Sequence, residues 1–270
     1  MTLADLVRAG DWWDDAYWPA VDAADDGDAA AVLVLVDDPD AAVRGLAVTT
    51  LAHLSHGGPP TEDVVEAALR RSRDEDTRVR DLATFILGQQ LREVDTPALR
   101  EALVERLDDD DHETRCEALL GLAYRRDPRA LPRLREVLSR PDDTVWQLEL
   151  QAAAALADAR LHPLVLRHQT GWDDSDAART AEMARRLTDP DGPGDDVLDG
   201  AAALYRVRAH GGDDAEEHLA AIRLLQDMTD LASHRADEFL AAVLARLEGD
   251  DAAQDEVRHR SAIAQDALDG

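Results

Sequence analysis

A ten-residue pattern occurs three times in this chain, and it limits the fold more than any other feature. Asp38-Pro39-Asp40-Ala41-Ala42-Val43-Arg44-Gly45-Leu46-Ala47, Asp74-Glu75-Asp76-Thr77-Arg78-Val79-Arg80-Asp81-Leu82-Ala83 and Asp109-Asp110-Asp111-His112-Glu113-Thr114-Arg115-Cys116-Glu117-Ala118 share two Asp, an Arg and an Ala in register. The arginines lie 36 and then 35 residues apart, and a leucine follows each by seven residues, at Leu51, Leu87 and Leu122. A period of this length belongs to stacked two-helix units, each of which buries its apolar face only against a neighbour.

Every shared residue has a physical task in such a unit. The second Asp (Asp40, Asp76, Asp111) stands where a carboxylate accepts hydrogen bonds from the free N–H groups of the next helix. The Ala three residues after Arg permits close helix approach, and the Leu four residues further falls on the same face and packs inward. The first Asp precedes the Arg by six residues in each copy, pairing Asp38 with Arg44, Asp74 with Arg80 and Asp109 with Arg115. A turn carboxylate is thereby within reach of the guanidinium of its own or of an adjacent unit, a ladder that would align the repeats.

A second amphipathic stretch precedes each copy, over 29–36, 62–71 and 97–107, so two helices make one unit. A fourth unit begins at Asp127-Pro128-Arg129-Ala130-Leu131-Pro132 and continues in a helix from about Asp142 to Leu156. Trp146 or Glu149 stands there near the place of the Arg. A fifth pairs 163–168 with 174–187. After the breaker Asp189-Pro190-Asp191-Gly192-Pro193-Gly194-Asp195-Asp196, helices are predicted over 196–209, 214–228, 232–247 and 252–267, without the motif. The organisation read from these signals is an aromatic-rich helical cap (1–27), repeats (28–190) and degenerate C-terminal repeats or cap (191–270).

The three Asp-x-Asp…Arg…Ala copies resemble the HEAT repeats, especially their bacterial form related to the phycobilisome-lyase-type repeat. The resemblance covers 28–125 closely and 126–190 more loosely. It implies an all-α, right-handed α-solenoid of helical hairpins whose first helices form the convex face and whose second helices line the concave, partner-binding face.

Composition agrees and narrows the chemistry. Aromatics make up 4% of the 270 residues, which starves a sheet of its usual packing residues. The single cysteine, Cys116, excludes an intramolecular disulfide framework and a Cys-based zinc cluster. The longest apolar run, 29–36, is too short to span a bilayer, and the N-terminus lacks the basic region of a leader, so cytoplasmic residence is expected. Against 58 acids stand 29 basic residues, all of them Arg, for a net charge of −29. Such a surface repels phosphate backbones and anionic lipid and attracts basic proteins. The ends carry the excess: 1–40 has eleven Asp and one Arg, whereas 41–170 has 23 acids and 18 Arg.

Few residues suggest a site. Trp12, Trp13, Tyr17 and Trp18 place four of the ten aromatics within seven residues, as a cap over the first repeat or as a partner anchor. Arg125, Arg126, Arg129, Arg133, Arg135 and Arg140 form a basic stretch, read as a solvated, ion-paired helix rather than an anion site. His53 and His56 cap or solvate a helix end, and Asp108 to Asp111 lack the ligand spacing of a calcium loop. No phosphate loop, nucleophile elbow or zinc-protease motif occurs. Deoxyhypusine hydroxylases share the implied architecture but need several His-Glu pairs, and only His112-Glu113 is present.

The expected function is that of a non-enzymatic scaffold or adaptor without cofactor or metal, binding a basic protein on its second helices at residues such as Asp81 and Phe85. An immunity or antitoxin-like protein against a basic toxin is one alternative, and a lyase or DNA-glycosylase-like enzyme on this scaffold is another.

Overall fold

A computed structural model describes residues 2–10, 17–22, 29–55, 59–141 and 144–269, with side chains described as far as residue 260. Among the described residues all regular structure is helical. The chain forms two compact units, Met1–Val137 and Leu138–Gly270.

The first unit holds α1 (Leu3–Ala9), α2 (Tyr17–Asp22), α3 (Ala29–Leu35), α4 (Ala41–Leu54), α5 (Glu62–Arg71), α6 (Thr77–Phe85), α7 (Pro97–Arg106), α8 (His112–Tyr124) and α9 (Ala130–Val137). Helices α3, α5 and α7 pack in one row and α4, α6 and α8 in another, with each hairpin (α3/α4, α5/α6, α7/α8) joining the two. This is the two-layer stacking of an all-α solenoid.

The motif positions explain why. Asp40 accepts from Ala42 N–H at 2.9 Å, Asp76 from Arg78 and Val79 N–H at 3.0 and 3.1 Å, and Asp111 from Thr114 N–H at 2.8 Å, each starting a second helix. Ala47, Ala83 and Ala118 are fully buried, and so, within 2%, are Leu51, Leu87 and Leu122. Leu3, Val7, Tyr17, Val21, Val32, Leu35, Leu46 and Leu51 form one apolar cluster that closes the N-terminal end of this unit.

Helix α6 does not end as an ordinary helix. It runs into a π-helical turn over Ile86–Gln90, with Leu91 N–H donating to Ile86 O at 2.8 Å. Arg125 stabilises that turn. Its buried guanidinium donates to the carbonyls of Leu87, Gly88, Leu91, Val94 and Gly121 at 2.6–3.2 Å. Burial pulls its pKa down to about 10, still charged at neutral pH.

The second unit contains α10 (Gln147–Leu156), α11 (His162–Val165), α12 (Ser175–Thr188), α13 (Asp195–Ala209), α14 (Glu216–Leu231), α15 (Ala236–Arg246) and α16 (Asp251–Asp269). The helix predicted from about Asp142 starts instead at Gln147. Trp146 is extended, and Glu149 reaches back to accept its N–H at 2.8 Å, fixing the start there. The 163–168 stretch is only a short α-helix flanked by 3₁₀ turns. In the last third, α13 packs against α14, α15 and α16. The Asp189-to-Asp196 breaker lies inside this unit, tied down by Arg186, which donates to Pro193 O at 2.8 Å and to both Asp196 oxygens at 2.8 and 2.9 Å.

Candidate functional site

The second-helix row of the first unit carries the chain's most regular chemistry. Arg44 forks onto the carboxylate of Asp74, one repeat further on, with Nε and Nη2 at 2.9 and 2.7 Å. Its Nη1 turns back to the carbonyls of Asp38 and Pro39 at 3.0 and 3.1 Å. Arg80 repeats the arrangement, forking onto Asp109 at 2.7 and 2.9 Å while donating to Asp74 O at 2.9 Å. Each arginine thus holds its own turn by the backbone and the following repeat by the carboxylate. Arg115 keeps the backbone half, donating to Asp109 O and Asp110 O at 2.5 and 3.0 Å.

The carboxylates are matched in turn. Asp74 also receives Arg71 at 2.9 Å and the N–H of Asp76 at 3.0 Å; Asp109 receives Arg106 at 3.3 Å and the N–H of Asp111 at 3.1 Å. Burial alone would raise both acids, but the guanidiniums and backbone donors hold them below the usual carboxylate range.

Two acids on the same row lack such partners. Glu117 of α8 is 6% exposed, and its carboxylate accepts from Gln89 Nε2 of the π-helical turn at 2.6 Å. Asp81 of α6 is half-buried, its carboxylate 3.4 Å from Thr114 Oγ1, whose hydroxyl donates to Asp111 at 2.9 Å. The charged groups acting on Glu117 are Asp81 and Glu113, and those acting on Asp81 are Glu113, Asp111 and Asp109. Burial first, then this repulsion, pushes Asp81 up to about 6 and Glu117 up to about 7. The buried acids Asp74, Asp127 and Glu149 all have arginine partners.

Between α4 and α6 lies a groove of about 420 Å³. Gly45, Leu46, Val79 and Leu82 form its apolar surface, with Ala41, Ala42, Gly10, Asp76 and Arg78 around them.

The sequence had drawn attention to other residues as well. Phe85 is half-buried at the last position of α6, directly before the π-helical turn. Trp12, Trp13 and His56 lie outside the described residues. Tyr17 is buried, its hydroxyl 2.7 Å from Thr50 Oγ1, and its ring meets Trp18 edge-on at 5.0 Å. Trp18 in turn packs on His53, whose Nε2 lies 2.6 Å from Asp22. These rings cover the first repeat. In the basic stretch, Arg129 pairs with Asp127 and Glu101, Arg133 with Asp108 and Glu136, and Arg140 with Glu149. Cys116 is buried in α8, its Sγ 3.7 Å from His112 Nε2.

Glu117 escaped the reading of the sequence, yet a signal was present. In the aligned copies it occupies the place of Leu46 and Leu82, so a carboxylate stands in an apolar column.

Stacked hairpins, aspartate caps and an interlocking arginine ladder define a helical-repeat protein. The HEAT-repeat family model matches residues 63–157 and 100–186, so the chain carries HEAT repeats over that span. Protein YibA of Escherichia coli K12 is 32% identical over 109 residues, which are 40% of this chain and 38% of YibA. YibA of E. coli O157:H7 matches equally. The chain thus spans less than two fifths of the length of these curated relatives. Among solved structures, that of E. coli YibA is similar with a TM-score of 0.47 at 23% identity, over 64% of this chain and 56% of that one. An engineered protein matches with a TM-score of 0.33 at 20% identity, over 86% of this chain and 94% of that one.

Proposed function

We propose that the protein is a non-enzymatic HEAT-repeat adaptor that binds a basic protein through the second helices of its first unit. The observation that carries this reading is the acid pair Asp81 and Glu117. Two carboxylates set among other acids, with no guanidinium in ion-pair contact among the described residues, raise the free energy of the unbound protein. A cationic side chain from a partner relieves that cost, and the surrounding negative field steers such a surface inward. The adjacent ladder supplies rigidity, so little order must be gained on binding.

The test is affinity capture from cells of the source organism, with the recovered partner titrated at several salt concentrations. A basic protein whose affinity falls as salt rises, and falls further with Asp81→Asn combined with Glu117→Gln, is the expected result. Recovery of nucleic acid or of a stoichiometric small molecule in its place would contradict it.

A further inference from the structure

We propose that the Gly45 groove and the Asp81–Glu117 pair form one composite peptide site, taking an extended basic segment by an aliphatic side chain and, about three residues away, a lysine or arginine. This deepens the adaptor reading and rests on it.

The first support is Gly45 itself. A glycine inside a helix costs stability relative to alanine, so its presence calls for a reason. Gly88 and Gly121 have one: a Cβ on Gly88 would stand 2.8 Å from Glu117 O, and one on Gly121 2.6 Å from Gly88 Cα, so the crossing of the π-helical turn with α8 admits no side chain. Gly45 is different. A Cβ there would meet Leu82 Cδ1 at 3.4 Å and Val79 Cγ2 at 3.7 Å, ordinary packing distances. Packing within the chain therefore does not demand glycine. What an added methyl would change is the groove, whose surface Gly45, Leu82 and Val79 share.

The second support is the placement of charge. Leu82 and Asp81 are consecutive on α6, Leu82 meeting Gly45 of α4 and Asp81 meeting Thr114 of α8. Helix α6 thus presents an apolar notch to one side and Asp81, one of the two acids, to the other. Packed helices stand about 8–10 Å apart, and an extended chain advances about 3.3 Å per residue, so three residues bridge the two subsites. Charge complementarity selects the occupant: among the described residues the charges that act on Asp81 and Glu117 are those of other acids, and Gln89 supplies Glu117 a neutral donor. An acidic or neutral segment would leave that repulsion unrelieved.

The experiment uses the full chain with isotope-labelled methyl groups and a synthetic peptide, acetyl-Gly-Ser-Leu-Ser-Ser-Arg-Ser-Gly-amide, followed by NMR to millimolar peptide. The expected result is selective shifts of the Leu46, Val79 and Leu82 methyls. The half-saturating concentration should rise at least about five-fold with Gly45→Ala, with Glu117→Gln, and with glutamine replacing the arginine of the peptide. Because Gly45→Ala meets no clash, a thermal melt showing unchanged or raised stability separates lost binding from lost fold. No methyl shift at saturating solubility, shifts confined to other helices, or binding indifferent to both variants would overturn the proposal. A captured natural partner that binds Gly45→Ala and Glu117→Gln as tightly as wild type would also overturn this site, while leaving the broader adaptor reading in place.

Discussion

The arginine ladder shows how much one residue can decide. Asp74 serves Arg44 of the preceding repeat by its carboxylate and Arg80 of its own by its carbonyl, so a single turn links two successive motifs. Removing the Arg80 side chain should destabilise the first unit by about 1–3 kcal/mol, because Asp109 is left buried with a weaker donor set. A double-mutant cycle with Asp109→Asn, read by urea unfolding, should show coupling. The same cycle with Asp74→Asn should show weaker coupling, since the Asp74 carboxylate belongs to Arg44 and Arg80 meets only the Asp74 carbonyl. Glu117 makes a second residue-scale prediction. Its pKa is raised to about 7 from an unfolded value near 4.5, so between those limits the native state binds more protons than the unfolded chain. Stability should therefore fall as pH rises from about 4.5 to about 7, by an amount on the order of 3 kcal/mol, and stay level above. Glu117→Gln should reduce that slope, leaving the part of the same sign that Asp81, raised to about 6, contributes. An unchanged slope in the variant would show that Glu117 is not the group responsible.

At the scale of elements, glycines separate structure from function. Gly121→Ala should destabilise by about 1–3 kcal/mol through overpacking against Gly88, whereas Gly45→Ala should stabilise by about 0.5–1 kcal/mol through helix propensity. Chemical denaturation of the two variants checks both signs. Much of this level was legible in the sequence: Asp40, Asp76 and Asp111 announce the second helices, and the buried Ala and Leu columns follow the helical period. What was not legible depends on groups far apart in the chain. Whether Arg80 meets Asp74 or Asp109 turns on repeat stacking, and six-residue spacing alone allows both. The π-helical turn has no local signature, because Arg125, some 37 residues beyond Gly88, supplies the donors that let its carbonyls stand free of an ordinary ladder. The start of α10 was misplaced because Glu149, not an aspartate before the helix, fixes that end. The acid pair was half legible: Asp81 drew notice as a second-helix residue for partner binding, while the burial of Glu117 depends on the close Gly88–Gly121 crossing.

For the molecule as a whole, charge is the dominant long-range quantity. An excess of 29 negative charges repels itself, and screening shortens that repulsion from about 10 Å at 0.1 M salt to about 3 Å at 1 M. The unfolding midpoint should rise in molar NaCl or KCl. A midpoint that falls would show that local pairs such as Arg44–Asp74 outweigh the net repulsion. Among the described residues no helix is long and apolar enough to cross a membrane, in keeping with a surface dominated by acids.

The central claim is that a basic protein binds the second-helix row of the first unit. It is tested most directly by hydrogen–deuterium exchange of the full chain, alone and saturated with the captured partner at low salt. The account predicts slowed exchange in α4, α6 and the π-helical turn, and α8, with α3, α5 and α7 unchanged. Protection confined to α3, α5 and α7, or to the second unit, would contradict it.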